Sequence, residues 1–190
     1  MKNVAILFAR SDSVYKTLEG CDVYDIDRDA RNWNGGAPVV AHPPCRAWGN
    51  LRHFAKPRAD EKSLALFAVH CVRAYGGVLE HPKRSTLFPH CNLPQPGKFD
   101  AWGGFTTILP QHAFGHRAEK MTLLYIVGIA PRELPSFPLR IDEPTHVIGT
   151  SKLRRHIPEC SKVEREHTPL DFAKWLVELA RMSDTRRKIA

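Results

Sequence analysis

The run Val4 to Phe8, VAILF, is apolar at every position, the pattern of a strand covered on both faces. Asp22 to Asp27 predicts a second strand that ends in acids, and Pro38 to Ala41 a third that runs straight into His42, Pro43 and Pro44. Between Asp60 and Tyr75 the pattern changes. Leu64, Phe67, Ala68, Cys71 and Val72 fall on one face at helical spacing, acids occupy the first turn, and Gly76-Gly77 follow, which predicts a helix. Gly77-Val78-Leu79 predicts a fourth strand ending at Glu80-His81-Pro82, and Met121 to Ile129 carries the strongest strand signal in the chain. Residues 83–110, rich in Pro, Gly, Phe and Trp, predict an ordered loop with little regular structure, and the proline-rich stretch 131–166 is read mostly as loop. Thr168-Pro169-Leu170-Asp171 has capping-box spacing with proline in the first turn, and opens a helix that runs through Trp175 and Leu179 to Arg181.

Strands alternating with helices predict an α/β fold, with a mostly parallel sheet flanked by helices. The 190 residues, 43% of them hydrophobic, suffice for one core without covalent staples. One domain is therefore expected over 1–182, followed by a basic tail at 183–190. No run of 18 apolar residues occurs, which argues against a membrane-spanning helix. The five cysteines are widely spaced and odd in number, and Met1-Lys2-Asn3 leads directly into the first strand, so a reduced, cytoplasmic protein is expected. The net charge of +8 gathers at Arg52 to Arg58, Lys83-Arg84, Lys152 to Arg155 and Arg186 to Lys188, which points to a polyanionic partner, most simply nucleic acid.

Ligands of such sheets bind beyond the carboxyl ends of the strands. Asp25, Cys45 and Glu80 each follow an apolar run and should project there. The prolines before Cys45 cannot donate to a ladder and hold φ near −65°, so they end the third strand and carry the thiol to its edge. Histidines and cysteines are numerous (His42, Cys45, His81, His90, Cys91, His112, His116), which raises a metal-binding reading. No Cys-x-x-Cys pair supports it, and no metal is expected.

The order of these features resembles that of the DNA cytosine-5 methyltransferases. Pro43-Pro44-Cys45-Arg46-Ala47-Trp48-Gly49 is similar to their Pro-Pro-Cys catalytic loop, and Leu79-Glu80-His81-Pro82 resembles the strand that carries their glutamate. Gln111 to Gly128 resembles the stretch where a Gln/Arg cluster precedes a strand, with Arg117 and Lys120 as its basic members. Arg165 to Lys174 and Tyr24 to Ala30 resemble two further segments, the latter the acidic strand end beside the cofactor ribose. The resemblance implies a reduced Rossmann-like methyltransferase domain, of a size similar to phage-encoded modification proteins. It implies S-adenosylmethionine held by Phe8, Asp25, Ile26 and Pro43, and DNA held by Arg46, Trp48, Arg84 and Lys120. Residues 130–164 would form a small recognition insert.

Three departures bear on the activity. The family's glycine-rich turn after the first strand is replaced by Ala9-Arg10-Ser11-Asp12-Ser13, only ten or so residues separate Ala30 from His42, and Arg46 stands where the family has Gln. In the implied chemistry Cys45 adds to carbon 6 of a flipped cytosine, a protonated Glu80 hydrogen-bonds the base, and Arg117 supports its carbonyl. A cation from Arg46, Arg84 or Arg117 would help the thiol ionise. Trp48, Trp102 and Phe114 are candidate stacking platforms. Two other expectations stay open: a relative that uses no S-adenosylmethionine and acts on a base or nucleotide by another route, and a non-catalytic phage DNA-binding protein.

Overall fold

Alternation along the first strand, β1 (Val4–Leu7), sets the layers. Val4 and Ile6 turn to one side of the sheet, Ala5 and Leu7 to the other, and all four are without solvent exposure. In the computed structural model, which describes residues 2–138, 140–149 and 156–184, one long helix covers each side. The helix α1 (Glu61–Tyr75) packs Ala65, Ala68, Val69 and Val72 against the Ala5–Leu7 side, and α4 (Leu170–Met182) packs Phe172, Leu176 and Leu179 against the Val4–Ile6 side. Both helices are amphipathic in their sequence, so each closes one apolar layer and leaves its polar face to water.

The remaining strands are β2 (Cys21–Tyr24), β3 (Val39–Ala41), β4 (Gly77–Pro82), β5 (Phe105–Pro110) and β6 (Met121–Val127). They form one six-stranded sheet in the order β2-β1-β3-β4-β6-β5. The first four are parallel to one another, and β6 runs against both of its neighbours. The sheet is therefore mixed. The helix α1 crosses between β3 and β4, the length of connection that a parallel pair requires.

The structure changes three expectations. Residues 83–110 contain a short helix, α2 (Leu87–His90), and the edge strand β5. β5 was hidden in the sequence because its β-prone residues follow a glycine- and proline-rich stretch and β6 is the one strand it pairs with. Glu80 lies inside β4, not after it, since the ladder to β6 continues through His81 and Pro82. The helix α4 begins after Pro169, with no side-chain cap from Thr168. A further helix, α3 (Lys162–Glu166), is capped by Ser161, whose hydroxyl accepts from the Glu164 amide at 3.2 Å while Glu164 returns a bond to the Ser161 amide at 3.0 Å. The basic groups Lys152 to Arg155 and Arg186 to Lys188 lie outside the described residues.

Gly77 fixes the approach of β4 to β3. Its φ is 108°, and a Cβ there would run into the Val39 carbonyl oxygen. Gly77→Ala is expected to cost about 3 kcal/mol or more, the sum of a disallowed φ and a backbone collision in the sheet. A lowered urea midpoint at unchanged slope is the result expected.

Candidate functional site

The strands β2 and β3 lie on opposite sides of β1, so the loops leaving their carboxyl ends diverge and open a crevice. Around it the structure gathers Phe8, Asp25, the 42–45 turn and Glu80. Phe8 ends β1 with φ of 64°, a left-handed conformation that is costly for a bulky residue. The turn lacks glycine, yet its backbone takes up the conformation glycine would favour. Four non-glycine residues have positive φ among the described residues, and three of them (Phe8, Asp29 and Lys120) line the two clefts described next. Strain of this kind persists where surrounding structure holds it, and it concentrates at functional sites.

The first cleft, of about 340 Å³, is lined by Phe8, Asp25, Ile26, Asp29, Pro44 and Arg46 among others. Asp25 is 6% exposed. Its Oδ2 accepts from Lys16 Nζ at 2.6 Å and its Oδ1 from the amides of Asp27 and Arg28 at 3.1 and 3.2 Å. Lys16 and those amides hold the carboxyl below the usual aspartate range. Ile26 stands open to solvent at the rim. Pro43 is buried and Pro44 is the proline that faces this cleft. Arg46 pairs with Glu61 at the start of α1 and lines the first cleft, with its side chain still half exposed.

Cys45 is exposed at the end of the proline turn. Its carbonyl accepts from the Trp48 and Gly49 amides at 3.0 and 2.7 Å. The Trp48 carbonyl in turn accepts from the Thr86 amide and hydroxyl at 2.8 and 3.0 Å, which ties the loop to the segment after β4. Loss of water around the thiol and then the Glu80 carboxylate push it above the ordinary cysteine range, and Lys120 pulls the other way.

Glu80 is the most heavily bonded acid of the site. Its Oε1 accepts from Gln111 Nε2 at 3.1 Å and from the Thr122 hydroxyl, and its Oε2 faces His42 Nδ1 at 3.2 Å. Burial would raise its pKa, but His42, then Lys120 and Thr122, outweigh that and bring it down to about 2. The expectation of a protonated Glu80 is therefore corrected: the carboxyl is ionised. Lys120 is the cation that acts on both Cys45 and Glu80, with burial drawing its own pKa down. Its ammonium donates to the His167 carbonyl at 2.9 Å.

A second cleft, of about 1040 Å³, begins at Glu80, Thr122 and Lys120 and extends over His112, His146, His156 and Arg165. Residues 143–149 and 156–157 contribute to its outer wall, and histidines tie down the chain on either side. The His112 ring faces the carbonyls of His116 and Asp142, each at 2.8 Å, and the His116 ring faces those of Ala118 at 2.9 Å and Glu164 at 3.2 Å. These two rings are thus engaged with backbone. Among the described residues no three His, Cys, Asp or Glu side chains gather as a metal site would require.

The remaining predicted residues take these places. Arg117 pairs with Glu164 on an exposed face and lines neither cleft. Arg84 is exposed in the turn after β4 and lines neither cleft. Trp48 is 5% exposed and Phe114 3%; both are core, not stacking platforms. Trp102 is half exposed, but the Arg73 guanidinium covers its ring at 3.9 Å. The residues missed by sequence reasoning are Tyr15, Gln111, Thr122 and the role of His42. His42 alone carried a signal, since it precedes the prolines at the same strand end. No protein-family model, curated protein or solved structure matches this chain.

Proposed function

We propose that the protein is a DNA cytosine-modifying enzyme in which Cys45 adds to carbon 6 of a base drawn into the second cleft. The observation that carries this reading is that Glu80 and Lys120 stand together at the head of a large cleft, with the exposed Cys45 near enough for both to act on its charge. A pyrimidine ring attacked at carbon 6 needs a thiolate on one side and a proton source near its ring nitrogen on the other. Cys45 meets the first need once it has ionised, and Glu80, ionised in the resting protein, meets the second after taking up a proton. Lys120 supplies the positive charge that favours the thiolate. The net charge of +8 suits a nucleic acid substrate.

The finer fold reading, a reduced Rossmann-like methyltransferase domain, is supported by the first cleft's position at the switch point between β1 and β3. Phe8, Asp25 and Ile26 line it, and the left-handed Phe8 lets the chain turn there without glycine. These residues fit S-adenosylmethionine: the ionised Asp25 would accept from ribose hydroxyls and Phe8 and Ile26 would bound the apolar rim. When bound, that cofactor supplies an electrophilic methyl group for carbon 5. Calorimetric titration is expected to give a Kd in the micromolar range for S-adenosylmethionine, weakened about tenfold or more by Asp25→Ala. Absence of heat would remove the methyl donor from the reading and leave the nucleophile to another reaction.

A further inference from the structure

A buried chain of hydrogen bonds leads away from Glu80 under the sheet edge, and the chemistry proposed above gives its outer members no task. Tyr15, in a 3-10 turn (Val14–Thr17), is 1% exposed, and its hydroxyl lies 2.9 Å from His42 Nε2. The other ring nitrogen of His42 lies 3.2 Å from Glu80 Oε2. His42 and Glu80 side chains are each 15% exposed. The imidazole is thereby held at both nitrogens between an acid that lines the cleft and a phenol that does not. The charged and titratable groups facing the pair are Tyr15 from the 3-10 turn, Lys120 from the approach to β6, His81 beside Glu80 on β4, and Cys45 beyond the prolines.

An ionised Glu80 has no proton to give to a base, so the proton must reach it from elsewhere. We propose that His42 is the positioning residue that supplies it: the imidazolium holds a proton at Nδ1 against Glu80 Oε2 and passes it through that carboxyl to the attacked base. This inference rests on the cytosine-modifying reading. In the step, the Cys45 thiolate forms the Sγ–C6 bond, the C5–C6 π pair shifts to C4–C5, and the C4–N3 π pair moves onto N3. N3 takes a proton from the Glu80 carboxyl, and Glu80 takes one from His42 Nδ1. The imidazolium becomes a neutral ring whose Nε2–H donates to the Tyr15 oxygen, and the thiolate charge is consumed in the new bond. Charge and protons balance within the site. Tyr15 accepts from Nε2 before and after transfer, so the ring need not turn. The alternative source, direct donation from Lys120, would leave the two-sided clamp on His42 without a use.

The test combines imidazole NMR with covalent trapping on DNA that contains 5-fluorocytosine. With 15N-histidine protein and no DNA, the His42 ring is expected to show a hydrogen-bonded Nδ1 proton directed at Glu80, and Glu80→Gln to weaken or remove that signal. In trapping, the wild-type rate is expected to show a limb that falls toward alkaline pH. His42→Gln, which keeps a hydrogen-bonding side chain but carries no titrating proton, is expected to run about tenfold or more slower and to lose that limb. Tyr15→Phe preserves the ring packing and is expected to slow trapping less than His42→Gln does, because the imidazolium loses only its acceptor at Nε2. A His42 Nδ1 proton signal indifferent to Glu80→Gln overturns the proposal. So does a His42→Gln rate profile that keeps the wild-type limb, whatever its magnitude. If wild-type protein forms no adduct while the His42–Glu80 hydrogen bond is present, the cytosine-modifying reading fails, and the proton delivery fails with it. The hydrogen bond together with loss of the limb supports both.

Discussion

Cys45→Ala is expected to abolish covalent adduct formation with DNA while leaving the fold and the DNA affinity in place. The thiol is exposed, so its removal opens no cavity in either core layer. The turn that carries it is held by backbone bonds, from the Trp48 and Gly49 amides to the Cys45 carbonyl, which alanine retains. On the proposed reading the variant loses the nucleophile and little else. The expected result is no detectable adduct, with an unchanged thermal midpoint and the same fall of DNA affinity with salt. A variant that still forms adduct would place the nucleophile elsewhere, and a variant that unfolds would make Cys45 structural.

Glu80→Gln has the second largest expected effect, and its two parts have opposite signs. Loss of the acid that delivers a proton to the base is expected to slow adduct formation by about 10² to 10⁴. The thiol, relieved of a neighbouring carboxylate, should ionise more easily, so alkylation of Cys45 by iodoacetamide is expected to shift to lower pH. A general loosening of the site would not slow the reaction with DNA while speeding that with a small electrophile. The acid stability gives a third readout. Glu80 is depressed from 4.5 to about 2 in the folded protein, so the unfolded chain binds more protons in that window. Its contribution is present above the ordinary glutamate value and is lost as pH falls through the folded one. Urea unfolding followed over this range should therefore show a shallower dependence on pH in Glu80→Gln than in wild type.

The parts of the fold that could be read from the sequence were those in which one residue pattern settles one element. Val4 to Leu7 is apolar throughout because both faces of β1 are covered, and α1 declares itself by its spaced apolar face and its terminal glycine. The strand β5 was not legible, since Phe105 to Pro110 has one partner strand and its flanks read as loop. Nor could the reversal of β6 be read, because a buried strand of Leu, Tyr, Ile and Val has the same pattern in either direction. At the site, Asp25, Cys45 and Glu80 were visible because each follows an apolar run directly. Their charge states were not. The ionisation of Glu80 depends on His42, Gln111 and Thr122, and the last two arrive from β5's end and from β6, more than thirty residues away in the chain. The exchange of Arg117 for Lys120 as the site's cation has a similar origin. Glu164, which claims Arg117, belongs to a helix far along the sequence, and the φ of 38° at Lys120 is a local backbone feature with no composition signal.

The central claim is that Cys45 bonds to a pyrimidine base in DNA. Its most direct test is mass spectrometry of the wild-type protein after incubation with duplex DNA carrying 5-fluorocytosine in many sequence contexts, with and without S-adenosylmethionine. The account predicts a nucleotide-sized mass on the peptide that contains Cys45 and on no other cysteine peptide. A protein that binds the DNA yet carries no such mass under either condition, or carries it on another residue, would contradict it.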